Sequence, residues 1–169
     1  MFHLIQVLRL DRTFHLISLF PTHPFNDYFK GFEKVEAVRR TFGEKTEEVL
    51  QNLRVEFIPL AGYMGINGSN GHLIVNPHYL KNGNKLDIYL DIIHELVHVR
   101  QHMEGKELFD SKYIYVERPT EVEAYRCAVD EARRLRVSDE RICDYLKTEW
   151  MSNDEFQQLA KALNVICKR

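Results

Sequence analysis

The sequence predicts an α+β fold built around one long helix. Short stretches with the character of strands lie between residues 55 and 76, and longer stretches with helical periodicity lie before and after them. Strands that cluster in one part of a chain, instead of alternating with helices, are typical of α+β proteins. The chain has 169 residues, 44% of them hydrophobic and 28% charged, as in a soluble globular protein. We therefore predict a single domain over residues 26–169, preceded by an N-terminal segment, residues 1–25.

The N-terminal segment is rich in Phe, Leu and Ile but has no clear period. Residues 4–10 and 14–20 fit either two short strands or one irregular helix, and Pro21 and Pro24 break the chain before the next element. Charged residues interrupt the apolar run, which is too short for the about 20 residues that a membrane-spanning helix needs. The segment also lacks the basic start and the cleavage site of a signal peptide. We expect a cytoplasmic protein with no membrane partner.

Charge and cysteine content argue against a nucleic-acid-binding protein and against a protein built on disulfides or cysteine-bound zinc. The net charge of −2 leaves no strongly basic field, so we expect no nucleic-acid partner. Cys127, Cys143 and Cys167 lie far apart and form no CxxC pair. This pattern predicts small packing residues in a reducing compartment, and neither a disulfide framework nor a cysteine-based zinc site.

The elements of the domain follow from periodicity and turn residues. Residues 26–51 have helical spacing with a possible division at Gly43, and residues 55–59 form a short strand. Residues 62–76 read as a hairpin whose turn is Asn67-Gly68-Ser69-Asn70-Gly71. The next helix spans residues 86–103, is apolar on most sides and ends at Gly105, so it should be buried.

The rest of the chain is predicted to be helical. A helix should begin at Pro119 and run to about Arg136, with Thr120 and Glu123 at the spacing of a capping box. Ser138 and Ser152 begin two further helices, the second again with capping-box spacing.

The buried helix carries the sequence His94-Glu95-Leu96-Val97-His98, the H-E-x-x-H pattern. Two histidines four residues apart lie on one face of a helix, so His94 and His98 can bind one zinc ion, and Glu95 can accept a proton from a water on that ion. Buried polar side chains without partners are costly, which supports a functional reason for these three residues.

A catalytic zinc site needs a third protein ligand. His102 continues the same row, but it lies about 12 Å along the helix axis from His94, too far to close a tetrahedron. His72 and His78 lie on the hairpin and just after it, where either could approach the site, but contact with solvent or substrate fits them better than metal ligation. Glu121 shares a helix face with Ala124, Tyr125, Ala128 and Ala132, and such small residues let two helices approach closely. We therefore predict Glu121 as the third ligand, ahead of Glu123 and Glu117.

This arrangement resembles the gluzincin metallopeptidases, which have H-E-x-x-H on one helix and a glutamate ligand in an E-x-x-A-D or E-x-x-A-N pattern on a later helix. The resemblance covers roughly residues 55–135. In size, the chain is most similar to the small single-domain members of the family, the minigluzincins. Glu121 and Ala124 match the pattern. Tyr125 departs from it, because an Asp or Asn there commonly supports a motif histidine, and Asp91 is a possible substitute.

The resemblance implies a zincin-like fold, with a small, mostly antiparallel sheet and its hairpin packed on the H-E-x-x-H helix. It also implies a Zn²⁺ cofactor and a peptide or protein substrate. An extended substrate would pair with an edge strand, for which we select residues 74–76. Glu95 would be the general base and acid. Candidates for stabilising the oxyanion are Tyr113 and Tyr115, and also Tyr125 and Arg118.

Other functions fit the same motif. The chain could be a non-catalytic zinc-binding regulator or scaffold of zincin fold, although an intact Glu95 argues against this. A peptidase with a single protein target and a non-peptide hydrolase remain alternatives. The N-terminal segment, with His3, Asp11, His15 and His23, could also cover the cleft and keep a protease latent.

Overall fold

The structure is a computed structural model that describes residues 22–59 and 62–167, together with the backbone of Arg9 and Leu10. Helices make up most of the described chain. The α-helices are α1 (Phe25–Tyr28), α2 (Glu36–Phe42), α3 (Thr46–Asn52), α4 (Pro77–Asn82), α5 (Lys85–Met103), α6 (Pro119–Arg134), α7 (Asp139–Leu146) and α8 (Asn153–Ala162). Single turns of 3-10 helix lie at Phe32–Lys34, Gly43–Lys45 and Tyr115–Glu117.

The strands are short. They are β1 (Arg9–Leu10), β2 (His23–Pro24), β3 (Phe29–Lys30), β4 (Arg54–Phe57), β5 (Met64–Ile66) and β6 (Leu73–Val75). In the part of the chain that the structure describes, the main sheet has the order β2-β4-β6-β5, and β1 pairs with β3 separately. The architecture is therefore α+β, as the clustering of strands predicted.

The pairing pattern of the main sheet corrects one expectation. Strands β4 and β6 run parallel, with Val55 opposite Leu73, while β2 and β5 are antiparallel to their neighbours, so the sheet is mixed. Strand β6 has β4 on one side and β5 on the other. The selection of residues 74–76 as an edge strand was therefore wrong. Among the described strands, the edge next to β6 is β5.

The predicted hairpin is confirmed. Strands β5 and β6 pair antiparallel, and the main-chain N–H of Asn67 donates to the carbonyl of His72 across the turn. Gly71 has a positive φ of 73°. A Cβ atom there would lie only 2.6 Å from Cδ2 of His102, so the turn needs glycine both for its backbone and for the histidine ring packed against it.

Helix α5 confirms the predicted buried helix. It has 19 residues, and the side chain of Asn84 accepts a hydrogen bond from Leu86 N–H at its start. It ends before Gly105, whose φ is 72°. Apolar residues around the helix are buried, and among them lie buried polar residues that a core does not need: His94, Glu95, His98 and Gln101.

Helix α6 packs against α5 through small residues. Ala124, Ala128 and Ala132 have no exposed surface, as the alanine row predicted. The capping box at its start was wrong, because Arg118 is the N-cap residue and makes no side-chain cap. The hydroxyl of Thr120 donates to the carbonyl of Leu108 instead, and Glu123 pairs with Arg100 and Gln101 on α5.

The C-terminal helices begin where the sequence predicted. The hydroxyl of Ser138 caps α7, and Ser152 forms a complete capping box with Glu155 in α8. The expectation of unpaired cysteines was wrong for two of them, because Cys143 and Cys167 form a disulfide that ties α7 to the segment after α8. Disulfides are typical of oxidising compartments, so cysteine content no longer supports a reducing one.

The predicted helix over residues 26–51 is divided into short pieces, with a break at Gly43 as expected. Phe25, Phe29 and Phe32 from these pieces are fully buried.

The expectations for residues 1–21, including cleft coverage, lie outside the described residues except for the two-residue strand β1. Within the described ranges, no helix combines the length and the apolarity needed to cross a membrane.

Candidate metal centre

Three buried side chains bring potential metal ligands together between α5 and α6. The Nε2 atoms of His94 and His98 lie 3.0 Å apart. Oε2 of Glu121 lies 3.3 Å from Nε2 of His94 and 3.4 Å from Nε2 of His98. The histidines meet because they are four residues apart on one helix, and Glu121 reaches them because alanines let α6 lie close to α5. The predicted set of His94, His98 and Glu121 thus converges.

The environment of these atoms fits a bound cation. The three residues are 5–6% exposed, and their ligand atoms lie within 4.8 Å of one another. Oε2 of Glu121 is buried without a hydrogen-bond partner among the described residues. A buried carboxylate oxygen without a partner is costly, and a metal ion would satisfy it together with both imidazoles. The triad can therefore hold a metal ion.

Charge is strongly coupled within this group. Burial alone would raise the pKa of Glu121, but the imidazoles of His94 and His98 outweigh burial and hold that pKa well below its usual range. Burial alone would lower the pKa of His98, yet Glu121 and Glu95 raise it to about 9. Without metal, the neighbouring carboxylates therefore favour the protonated form of His98. Metal binding must displace this proton.

Glu95 lies beside the triad without joining it. Its Oε1 is 4.0 Å from Nε2 of His94, and its Oε2 is buried without a hydrogen-bond partner among the described residues. Burial raises the pKa of Glu95 to about 8. A carboxyl group with a pKa near neutrality can both accept and release a proton under ordinary conditions, as a general base and acid must.

A cleft of about 160 Å³ opens onto these four residues. This volume holds several water molecules, at about 30 Å³ each in the liquid. All three residues of strand β5 line this cleft, and Leu108 and Phe109 add an apolar part to its lining. Phe109 is 54% exposed, and its ring lies against Gly68 of the hairpin. The four polar side chains are thus buried, but a ligand can reach them through the cleft that β5 lines.

The four candidates for stabilising an oxyanion occupy different places. Tyr115 lines the cleft, and its hydroxyl lies 3.0 Å from that of Tyr125. Tyr113 is 42% exposed and is not among the described residues that line the cleft. The guanidinium of Arg118 lies 5.9 Å from the ring centre of Tyr115. Of the four, Tyr115 is the one whose side chain meets the cleft.

Gln101 is a residue of the site that sequence reasoning missed. Its Oε1 lies 2.7 Å from Nδ1 of His98. One signal could have revealed it, because Gln101 is a polar residue three positions after His98 on a helix that is otherwise apolar on most sides. Asp91 was suggested as the residue that supports a motif histidine, but it accepts a hydrogen bond from the hydroxyl of Tyr79 instead. Nδ1 of His94 has no partner among the described residues.

The remaining histidines considered as ligands lie elsewhere. His72 pairs with Glu56 at 2.7 Å, and His78 contacts Asn82. The ring of His102 packs against Gly71 of the hairpin. None of the three belongs to the metal-ligating group that the described residues form.

Comparisons of the chain with models of protein families, with curated proteins and with solved structures found no match in any of the three. The interpretation of the site therefore depends on the residues themselves and on their geometry.

Proposed function

We propose that this protein is a zinc-dependent peptide hydrolase with a zincin-like arrangement of the gluzincin type. The observation that carries the proposal is the convergence of His94, His98 and Glu121, with Glu95 beside them, at the base of one cleft. Two imidazoles and one carboxylate suit zinc, and three protein ligands are typical of catalytic rather than structural zinc sites.

His94, His98 and Glu121 would hold the metal through Nε2, Nε2 and a carboxylate oxygen. When bound, zinc supplies a Lewis acid that lowers the pKa of water and polarises a carbonyl group. The protein contributes a rigid, largely buried cradle for these ligands, since α5 and α6 are fixed by their packing.

Glu95 moves the proton. It lies beside the group that would hold the metal, with Oε1 4.0 Å from Nε2 of His94, and as a carboxylate it can take a proton from water and later give it to the leaving amine. Tyr115 is the candidate donor to the developing oxyanion, because its side chain lines the same cleft.

The edge of strand β5 that is free among the described strands is the reason to propose a peptide as the substrate. The carbonyl of Tyr63 and the N–H of Asn67 bond to β6, so the alternation of a strand turns the peptide groups of Met64 and Ile66 away from β6. An extended peptide would pair with these outward groups and lie across Glu95. This edge of the sheet is the one that the cleft exposes.

The test is to purify wild type, Glu95→Gln and Glu117→Gln, to measure bound zinc, and to measure cleavage of casein and of mixed fluorogenic peptides. Glu117→Gln is the matched control, since Glu117 is an exposed glutamate in the turn before α6. Glu95→Gln should keep its zinc and lose hydrolysis. Full hydrolysis in that variant would reject Glu95 as the base, and a zinc-loaded wild type without hydrolysis would favour the non-catalytic alternative.

A further inference from the structure

Gln101 is a fully buried amide that connects the two helices of the metal centre. It has no exposed surface. Its Oε1 lies 2.7 Å from Nδ1 of His98, and its Nε2 donates to the carbonyl of Thr120 at 3.0 Å and to Oε2 of Glu123 at 2.8 Å. All three contacts have good hydrogen-bond lengths, so the side chain has little freedom to turn.

The partners of Gln101 determine which way its amide faces. A carbonyl and a carboxylate only accept hydrogen bonds, so the NH₂ group must point toward Thr120 and Glu123. The amide oxygen then faces His98, and it can only accept. His98 must therefore carry a proton on Nδ1, which leaves Nε2 as the atom that a metal can bind. Nε2 is the atom that lies next to His94 and Glu121.

The same amide fixes α6 relative to α5. Thr120 directly precedes Glu121, so the bond from Gln101 holds the main chain next to the third ligand. Glu123 is itself held by Arg100 at 2.5 Å and by Lys106 at 3.3 Å. Two cations thus hold in place the carboxylate that accepts the hydrogen bond from Gln101.

We propose that Gln101 is a positioning residue of the metal centre. It directs Nε2 of His98 toward the metal and holds the start of α6 so that Glu121 completes the ligand set. This proposal rests on the metal site of the proposed function but not on the reaction. Hydrogen bonds of this kind to ligating histidines typically change metal affinity by about 10–100-fold when removed.

The first experiment compares the zinc affinity of wild type, Gln101→Met and Tyr89→Phe by competition with a chromophoric chelator. Methionine matches the length of glutamine but makes none of its hydrogen bonds. Tyr89→Phe is the control, because the hydroxyl of Tyr89 also joins α5 to α6 through a buried bond to Glu131, at 2.5 Å. Gln101→Met should weaken zinc binding about 10–100-fold. Tyr89→Phe should bind zinc as wild type does.

The second experiment uses NMR on protein labelled with ¹⁵N at histidine. Wild type should show a slowly exchanging proton on Nδ1 of His98, with and without zinc, and Gln101→Met should lose its protection. Unchanged zinc affinity in Gln101→Met, or zinc-loaded wild type without a proton on that Nδ1, would overturn the proposal. Neither readout uses peptide cleavage, so an inactive protein that shows both changes would contradict only the proposed reaction.

Discussion

The ring of Tyr125 packs edgewise against the imidazole of His94, with 4.3 Å between the ring centres. Tyr125 is buried, and its hydroxyl contacts that of Tyr115. On the side of the His94 ring that carries Nδ1, packing rather than a hydrogen bond therefore restrains the imidazole, since Nδ1 has no partner among the described residues. His98, by contrast, is restrained by the amide of Gln101.

This difference predicts how Tyr125 variants behave. Tyr125→Ala should lower zinc affinity, because it removes the ring that restrains His94 and leaves a cavity that costs about 3–5 kcal/mol of unfolding free energy. Tyr125→Phe keeps the ring, so its zinc affinity should equal that of wild type. Chelator competition and urea unfolding measure the two effects. Equal zinc affinity in all three proteins would show that packing does not position His94.

Tyr115 lines the cleft and Tyr113 lies at the surface, so variants of these two residues test which hydroxyl takes part in the reaction. Tyr115→Phe should lower kcat by about 10²-fold or more if its hydroxyl stabilises the oxyanion, while bound zinc stays unchanged. Tyr113→Phe is the matched control, because Tyr113 is 42% exposed. Cleavage kinetics and zinc content are measured on both variants. Equal kcat values would remove Tyr115 from the reaction, and a loss in Tyr113→Phe would restore the other sequence candidate.

Asp91 should make stability depend on pH. Burial raises its pKa in the folded protein to about 7, although the hydrogen bond from Tyr79 opposes this rise. The unfolded chain has the ordinary pKa near 3.8. Between these two values the folded state binds more protons. The free energy of unfolding therefore falls as pH rises, by at most about 1.4 kcal/mol per pH unit from this group.

Asp91→Asn removes this titration, so the variant should gain stability relative to wild type as pH rises from 4 to 7, and the difference should level off above about pH 7. Urea unfolding of both metal-free proteins across this range measures it. Other carboxylates titrate alike in the two proteins and cancel in the difference. A difference that is constant with pH would show that Asp91 is ionised in the folded protein throughout the range.

The disulfide between Cys143 and Cys167 should stabilise the C-terminal helices. It closes a segment with a sequence separation of 24, for which the chain-entropy model gives about 3.5 kcal/mol. Cys167→Ser should therefore lower the unfolding midpoint in urea, and a reducing agent should lower that of wild type to the same value. Cys127→Ser is the control, since Cys127 is not bonded to another cysteine. Indifference of wild type to reduction would contradict a closed disulfide.

Local pattern predicted the helices of the site well. The turn of an α-helix alone brings His94 and His98 to one face, and the alanine row next to Glu121 indicated close contact with another helix. Both features depend on residues within a few positions of each other. The structure confirms this local geometry, and the burial of Ala124 and Ala128 explains why Glu121 reaches the histidines.

Several expectations that needed long-range information failed. The strand that contains Ile74 looked like an edge, but its parallel partner β4 comes from a distant segment, and strand order is not readable from local alternation. Glu123 had capping-box spacing, yet Arg100 and Gln101 on another helix recruit its carboxylate. The pairing of Cys143 with Cys167 likewise depends on how α7 and the end of the chain meet in space.

Gly65 tests whether β5 binds substrate. It lies in the middle of the edge strand and lines the cleft, yet a Cβ atom there would meet no atom of the described residues within 4 Å. Glycine in a strand costs about 0.5–1 kcal/mol relative to alanine. Packing among the described residues therefore does not explain this glycine, whereas the close approach of another backbone would.

Gly65→Val should accordingly keep or raise the unfolding midpoint, because valine favours strands and the space around position 65 is open. If a peptide pairs with β5, the same variant should raise KM for peptide cleavage and leave bound zinc unchanged, since the added side chain takes space beside the substrate. Thermal unfolding, zinc content and cleavage kinetics separate these effects. A stable, zinc-loaded Gly65→Val protein with the KM of wild type would place the substrate away from β5.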